Sequence, residues 1–90
     1  MGGHGLWVSQ VFISRATAHK IRTSHGLDPE EIRDAIGCRP GLSYVWHHHP
    51  DRGVRALVTI QIRRQRVLVV LYPERGDPPY TLNLGSAYRI

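Results

Sequence analysis

The sequence has one cysteine, Cys38, and no apolar run approaching the ~18 residues of a membrane-spanning helix. A lone thiol excludes an internal disulfide and any cysteine-based metal site, which fits a reducing compartment. No charged-then-apolar leader is present either, so a cytoplasmic protein with no membrane association is expected. Lysine is almost missing: eleven of the twelve cations are Arg, Lys20 being the exception. Acidic residues number only seven, which leaves a formal charge of +5.

That charge is unevenly placed. Residues 1–45 carry five Lys/Arg against four Asp/Glu, whereas residues 46–90 carry seven Arg against three Asp/Glu. An arginine-rich half suits bidentate recognition of phosphate or of an acidic protein surface. Ninety residues make one domain, which buries somewhat over roughly 60% of its unfolded surface. One layer of helix on one sheet is therefore expected. Residues 1–5 read as a flexible lead-in and residues 6–90 as a single domain.

The pattern along the chain alternates between two periods. Leu6 to Ser14 is rich in β-formers and reads as a first strand. Arg15 to His25 reads as a helix, with Ser14 or Arg15 near its start and Gly26 placed for a left-handed C-terminal cap. Its Arg15, His19 and Arg22 share one basic stripe, and Ala18, Ile21 and His25 a drier one. Asp28-Pro29-Glu30-Glu31 is the strongest local signal: an N-cap Asp, a first-turn Pro, and a Glu placed to close a capping box. The second helix buries Ile32, Ala35 and Ile36 and ends at Gly37.

From Leu42 onward the pattern is strands and turns. Leu42 to His49 is one strand, and Pro50 to Gly53 a turn. In Val54 to Ile62 the residues Ala56, Val58, Ile60 and Ile62 face inward, with Arg55, Thr59, Gln61 and Arg63 outward. Arg63-Arg64-Gln65 is a short hairpin turn. The apolar run Val67 to Tyr72 reads as a central strand buried on both faces, and Tyr80 to Ala87 as the last strand. The fold class is α+β: a first strand, a two-helix hairpin, then a four-stranded antiparallel meander with the helices on one face of the sheet. The short connections exclude parallel crossovers among the last four strands.

His25-Gly26-Leu27 before an acidic helix, the word Arg66 to Asp77 (Arg-Val-Leu-Val-Val-Leu-Tyr-Pro-Glu-Arg-Gly-Asp), and Ser86-Ala87 near the end together resemble the BrnT family of small bacterial toxins. That family is similar to the RelE/ParE toxins. The resemblance covers residues 7–89 and implies a RelE-like fold and an endoribonuclease of a type II toxin–antitoxin pair. Such an enzyme acts on RNA, free or at the ribosome, without a cofactor, and is neutralised by a small antitoxin protein. The chain departs from the family pattern at several polar positions. Ser24 and Ile21 stand where Lys and Asn are usual, Asn83 where an Arg is usual, and Tyr88 where the final Arg is usual, with Arg89 one place later.

A metal-free ribonuclease takes its nucleophile from the substrate's own 2′-OH, so the protein supplies a base, an acid and cations for the developing phosphorane charge. On that chemistry Arg66, Glu74 and His25 are the candidate catalytic groups. Arg63, Arg64, Arg75, Arg89, Tyr88, His19 and Arg22 are the candidate nucleic-acid contacts. Each also has a plain structural reading: Glu74 and Arg75 as a solvated pair, His25 as a helix cap, His19 as an exposed side chain, the tyrosines and tryptophans as packing. His47-His48-His49 places its outer two rings on one strand face, with Asp51 as the only nearby third metal ligand. Two other function classes fit the same composition. One is a relative of the toxins that binds RNA or DNA without cutting. The other is an interaction module whose basic face meets an acidic protein.

Overall fold

The computed structural model describes residues 6–73 and 81–90. Its elements run β1 (Gln10–Phe12), α1 (Arg15–His25), α2 (Pro29–Ile36), β2 (Ser43–His49), β3 (Gly53–Ile62), β4 (Gln65–Pro73) and β5 (Thr81–Arg89). The five strands form one sheet in the order β1-β5-β4-β3-β2. β2 to β5 are a continuous antiparallel meander, and β1 joins β5 in parallel, which the long passage through both helices allows. The α+β architecture expected from the pattern is the one observed, with β4 central.

Both helices start and stop on the expected side chains. Ser14 caps α1, its Oγ accepting from the Thr17 N–H at 3.1 Å. Gly26 ends α1 at φ 63° and donates its N–H to the Ile21 carbonyl. Asp28 caps α2, its Oδ1 accepting from the Glu30 N–H at 2.9 Å. Glu31, however, does not complete the expected box: its carboxylate accepts from Arg63 Nε at 2.9 Å, tying α2 to the β3–β4 turn.

One face of the sheet carries the core. Ile21, Leu27, Ile32 and Ile36 from the helical hairpin pack with Val58, Val67, Val69, Leu71, Leu84 and Ala87, all at most 6% exposed. Each fully buried aliphatic side chain contributes about 1.5–3 kcal/mol. α1 lies over β5 and α2 over β3. Ile21 is completely buried, which accounts for an aliphatic residue where the resemblance expects Asn.

Two strand expectations need correction. Among the described residues the first strand is Gln10–Phe12, and the expected Leu6 and Val8 make isolated bridges, to Leu42 and Gly37. β4 is not buried on both faces. Val67, Val69 and Leu71 are closed off by the helices, and Val70 is buried on the other side, but its neighbours Leu68 and Tyr72 are half-exposed there. The reason is that both helices sit on the same side, so the second face of the sheet carries no helix among the described residues. Among the described residues no helix is long and apolar enough to cross a membrane.

Candidate nucleic-acid interface

Strand register decides what stands on the helix-free face. His47 pairs with Arg55, Ala56 with Leu71, Tyr72 with Asn83, and Phe12 with Asn83. One row, His47, Arg55, Tyr72, Asn83 and Phe12, therefore crosses all five strands. The next row holds Val45, Leu57, Val70 and Ser86, the next Ser43, Thr59, Leu68 and Tyr88, and the last Gln61 and Arg66. The face has polar cationic ends and an apolar middle.

At the first end the side chains are linked. Arg55 donates from Nε to His47 Nδ1 at 3.2 Å and from Nη1 to the Tyr72 hydroxyl at 3.5 Å. With Nδ1 accepting, a neutral His47 ring carries its proton on Nε2. Burial pushes the Tyr72 phenol up, but hydrogen bonds from Arg55 and Arg52 and the two guanidinium charges outweigh it, so its pKa falls below the ordinary phenol value. The ring of Tyr72 is set by a β-bulge. Register shifts by one between Val70 and Leu71, leaving Gly85 unpaired in β5, and any Cβ at Gly85 would run into that ring. His49 serves the adjoining turn: its Nδ1 accepts from the N–H groups of Asp51 and Arg52, both at 3.1 Å.

The opposite end gathers most of the cations expected from the sequence. Arg64, Arg66 and Arg89 line one shallow depression with Gln65 and Ile90. Arg66 is exposed on the helix-free face. Arg63 is exposed but paired with Glu31. Arg89 pairs with Val67 and so stands on the helix side. There it donates to the His25 carbonyl at 2.6 Å, the Gly26 carbonyl at 3.2 Å and Gln65 Oε1 at 2.6 Å. His25 sits at the end of α1, its ring 5.8 Å from that of Tyr88. The words His25-Gly26 and Arg89, distant in sequence, meet here as a structural clamp.

His19 and Arg22 are exposed on α1, on the opposite side from the helix-free face, where Arg22 shares a cleft with Asp28, Glu30 and Glu31. Glu74 and Arg75, and Tyr80 with them, lie outside the described residues. Pro73, the last described residue before Glu74, stands at the far end of β4 from Arg66.

Arg55, Tyr72 and His47 form the best-linked group on the face, and the sequence reading did not unite them. Charge distribution reinforces their position. The five strands contain Arg55, Arg66, Arg89 and three histidines but no Asp or Glu, and four of the five acids among the described residues lie at or on α2, Asp51 in a turn being the fifth. Neither Arg52 nor Arg55 forms an ion pair among the described residues, where the salt bridges are Arg33–Glu30 and Arg63–Glu31. Also among the described residues, no cluster of His, Cys, Asp and Glu is assembled that could hold a metal ion. Asn83, where the resemblance expects Arg, falls in the same row as Tyr72. Comparison with protein-family models, curated proteins and solved structures finds no match to this chain.

Proposed function

We propose that this chain binds single-stranded RNA across the helix-free face of its sheet and cuts it without a metal, as a toxin-type endoribonuclease. The observation that carries this reading is the face itself: strands with no carboxylate, Arg55 and Arg52 at one end and Arg66 at the other. From Tyr72 to Arg66 is six residues along β4, about 20 Å, the reach of a short single-stranded segment. Tyr72 offers an aromatic surface beside the cations, whereas the ring of Tyr88 lies against His25 at the end of α1.

In the reaction, Tyr72 as phenolate takes the proton of the 2′-OH, and that oxygen attacks the adjacent phosphorus. The phosphorus–O5′ bond breaks, leaving a 2′,3′-cyclic phosphate and a 5′-oxyanion to which His47 Nε2–H donates a hydrogen bond. Water protonates that oxygen to the 5′-hydroxyl, and the hydroxide so formed takes back the proton from Tyr72. Arg55 and Arg52 hold the extra negative charge of the phosphorane. Arg66 anchors the strand at the other end.

A second reading, an RNA-binding relative that does not cut, draws support from His25 and Arg89. His25 is expected to do chemistry and Arg89 to contact nucleic acid, and both are engaged in holding α1 to β5. Incubation of labelled RNA with the purified protein in EDTA separates the two. Cutting by the wild type that falls at least tenfold in Tyr72→Phe and Arg55→Ala supports the nuclease. RNA that is bound but uncut, in buffer and on translating ribosomes alike, supports the binder.

A further inference from the structure

The two edges of the sheet are protected very differently. β1 is three residues long, and Arg33 Nη2 donates to its Val11 carbonyl at 3.4 Å. β2 is seven residues long, pairs in unbroken register with β3 on one side, and among the described residues has no strand on the other, Leu6 making a single bridge to Leu42 just before it begins. It contains no Lys, Pro or bulge, the features that ordinarily block such an edge. Two large apolar side chains are exposed along it, Val45 at 66% and Trp46 at 46%, beside Ser43, His47 and His48.

We infer that β2 pairs antiparallel with β2 of a second copy of this chain, centred on Val45. The sequence around that residue is complementary to its own reverse. Val45 meets Val45 on the helix-free side, Ser43 meets His47, and Tyr44 meets Trp46 on the helix side. Tyr44 and Trp46 already form an edge-to-face pair within one chain, ring centroids 6.1 Å apart, so the two-fold builds a cluster of four rings. No histidine faces its counterpart, and residues 42–49 contain no Asp, Glu, Lys or Arg. Beyond the strand ends, antiparallel pairing brings the exposed Asp51 of one copy to the same end as the exposed Arg39 of the other.

Because the two-fold axis of an antiparallel pair is perpendicular to the sheet, both helix-free faces end on the same side. The result is a ten-stranded sheet with one continuous cationic surface, so the dimer doubles the length of the RNA-binding face. Only this consequence rests on the function proposed above. The pairing itself is independent of it.

Sedimentation equilibrium at about 100 µM protein, where associations of micromolar affinity are saturated, gives the first reading. The chain mass is 10.2 kDa, and the wild type is expected at twice that value. Val45→Lys, at a side chain already exposed, is expected at the monomer mass with unchanged circular dichroism. In a Cys38→Ser background, Val45→Cys is expected to form an intermolecular disulfide under mild oxidation. A monomeric wild type overturns the inference, as does a dimer that Val45→Lys leaves intact. A dimer with no cross-link at Cys-substituted position 45 overturns the register. None of these readings uses RNA.

Discussion

Arg89 donates to the carbonyl of His25 at 2.6 Å and to that of Gly26 at 3.2 Å, so the last strand holds the C-terminal end of the first helix across 64 residues of sequence. Those carbonyls have no partner within the helix, and a guanidinium both satisfies them and complements the helix dipole. Arg89→Ala is expected to lower unfolding stability by about 1–2 kcal/mol. Arg89→Lys is expected to recover only part of it, since an ammonium cannot bridge two carbonyls and Gln65 with the same geometry. Urea denaturation checks both.

The β3–β4 turn is a two-residue loop with Arg63 at φ 51° and Arg64 at φ 67°. Such turns favour Asn-Gly, because left-handed backbone costs other residues roughly 1–2 kcal/mol each. Arg64→Gly is therefore expected to stabilise the fold by about 1 kcal/mol in denaturant titration. If Arg64 contacts RNA, the same substitution weakens RNA binding. Stability and affinity moving in opposite directions is the outcome to look for.

Gly85 is the unpaired residue of the bulge and lies under the ring of Tyr72. Gly85→Ala forces that ring away from Arg55, with an expected stability loss of about 1–3 kcal/mol. RNA cleavage is expected to fall with it. Tyr72→Phe keeps the ring and should spare stability at neutral pH while abolishing cleavage, which distinguishes packing from chemistry.

The Tyr72 phenol titrates below its ordinary range in the folded protein. Its linkage contribution is therefore fully present above the unfolded phenol pKa of about 10 and is lost as pH falls through the lowered folded value. Across that window the stability gap between wild type and Tyr72→Phe is expected to widen as pH rises. The cleavage rate is expected to rise with pH toward the same lowered value, because in the proposed reaction the phenolate is the base. Spectrophotometric titration of phenolate absorbance, wild type minus Tyr72→Phe, locates it.

Much of the fold was legible because it is set locally. Ser14, Gly26 and the Asp28-Pro29 pair fix both helices by capping chemistry, and alternation in Val54 to Ile62 correctly divided Ala56, Val58 and Ile60 from Arg55, Thr59 and Gln61. The site was less legible because it depends on register. With Arg63-Arg64 taken as a two-residue turn, Ile62 opposes Gln65, and counting back places Tyr72 beside Arg55. A turn extended to Gln65 leaves that register open. Glu31 was misassigned because a capping box is a local rule, and the partner that displaced it, Arg63, lies 32 residues away. The one-place shift to Arg89 did matter: it faces the helices, and Tyr88 takes the row of Leu68. Leu6 and Val8 have strand-forming side chains, but among the described residues each meets a single bridge partner, Leu42 and Gly37.

The most direct test of RNA binding on the helix-free face is the salt dependence of affinity for a labelled single-stranded RNA, measured by fluorescence anisotropy. Arg55→Ala and Arg66→Ala are each predicted to weaken binding and to reduce the slope of log K against log salt by about 0.7–1, one released counterion apiece. Arg15→Ala and Arg22→Ala, on the helix layer, are predicted to leave the slope unchanged. Equal effects from both pairs, or an effect confined to Arg15 and Arg22, would contradict the placement of RNA on this face.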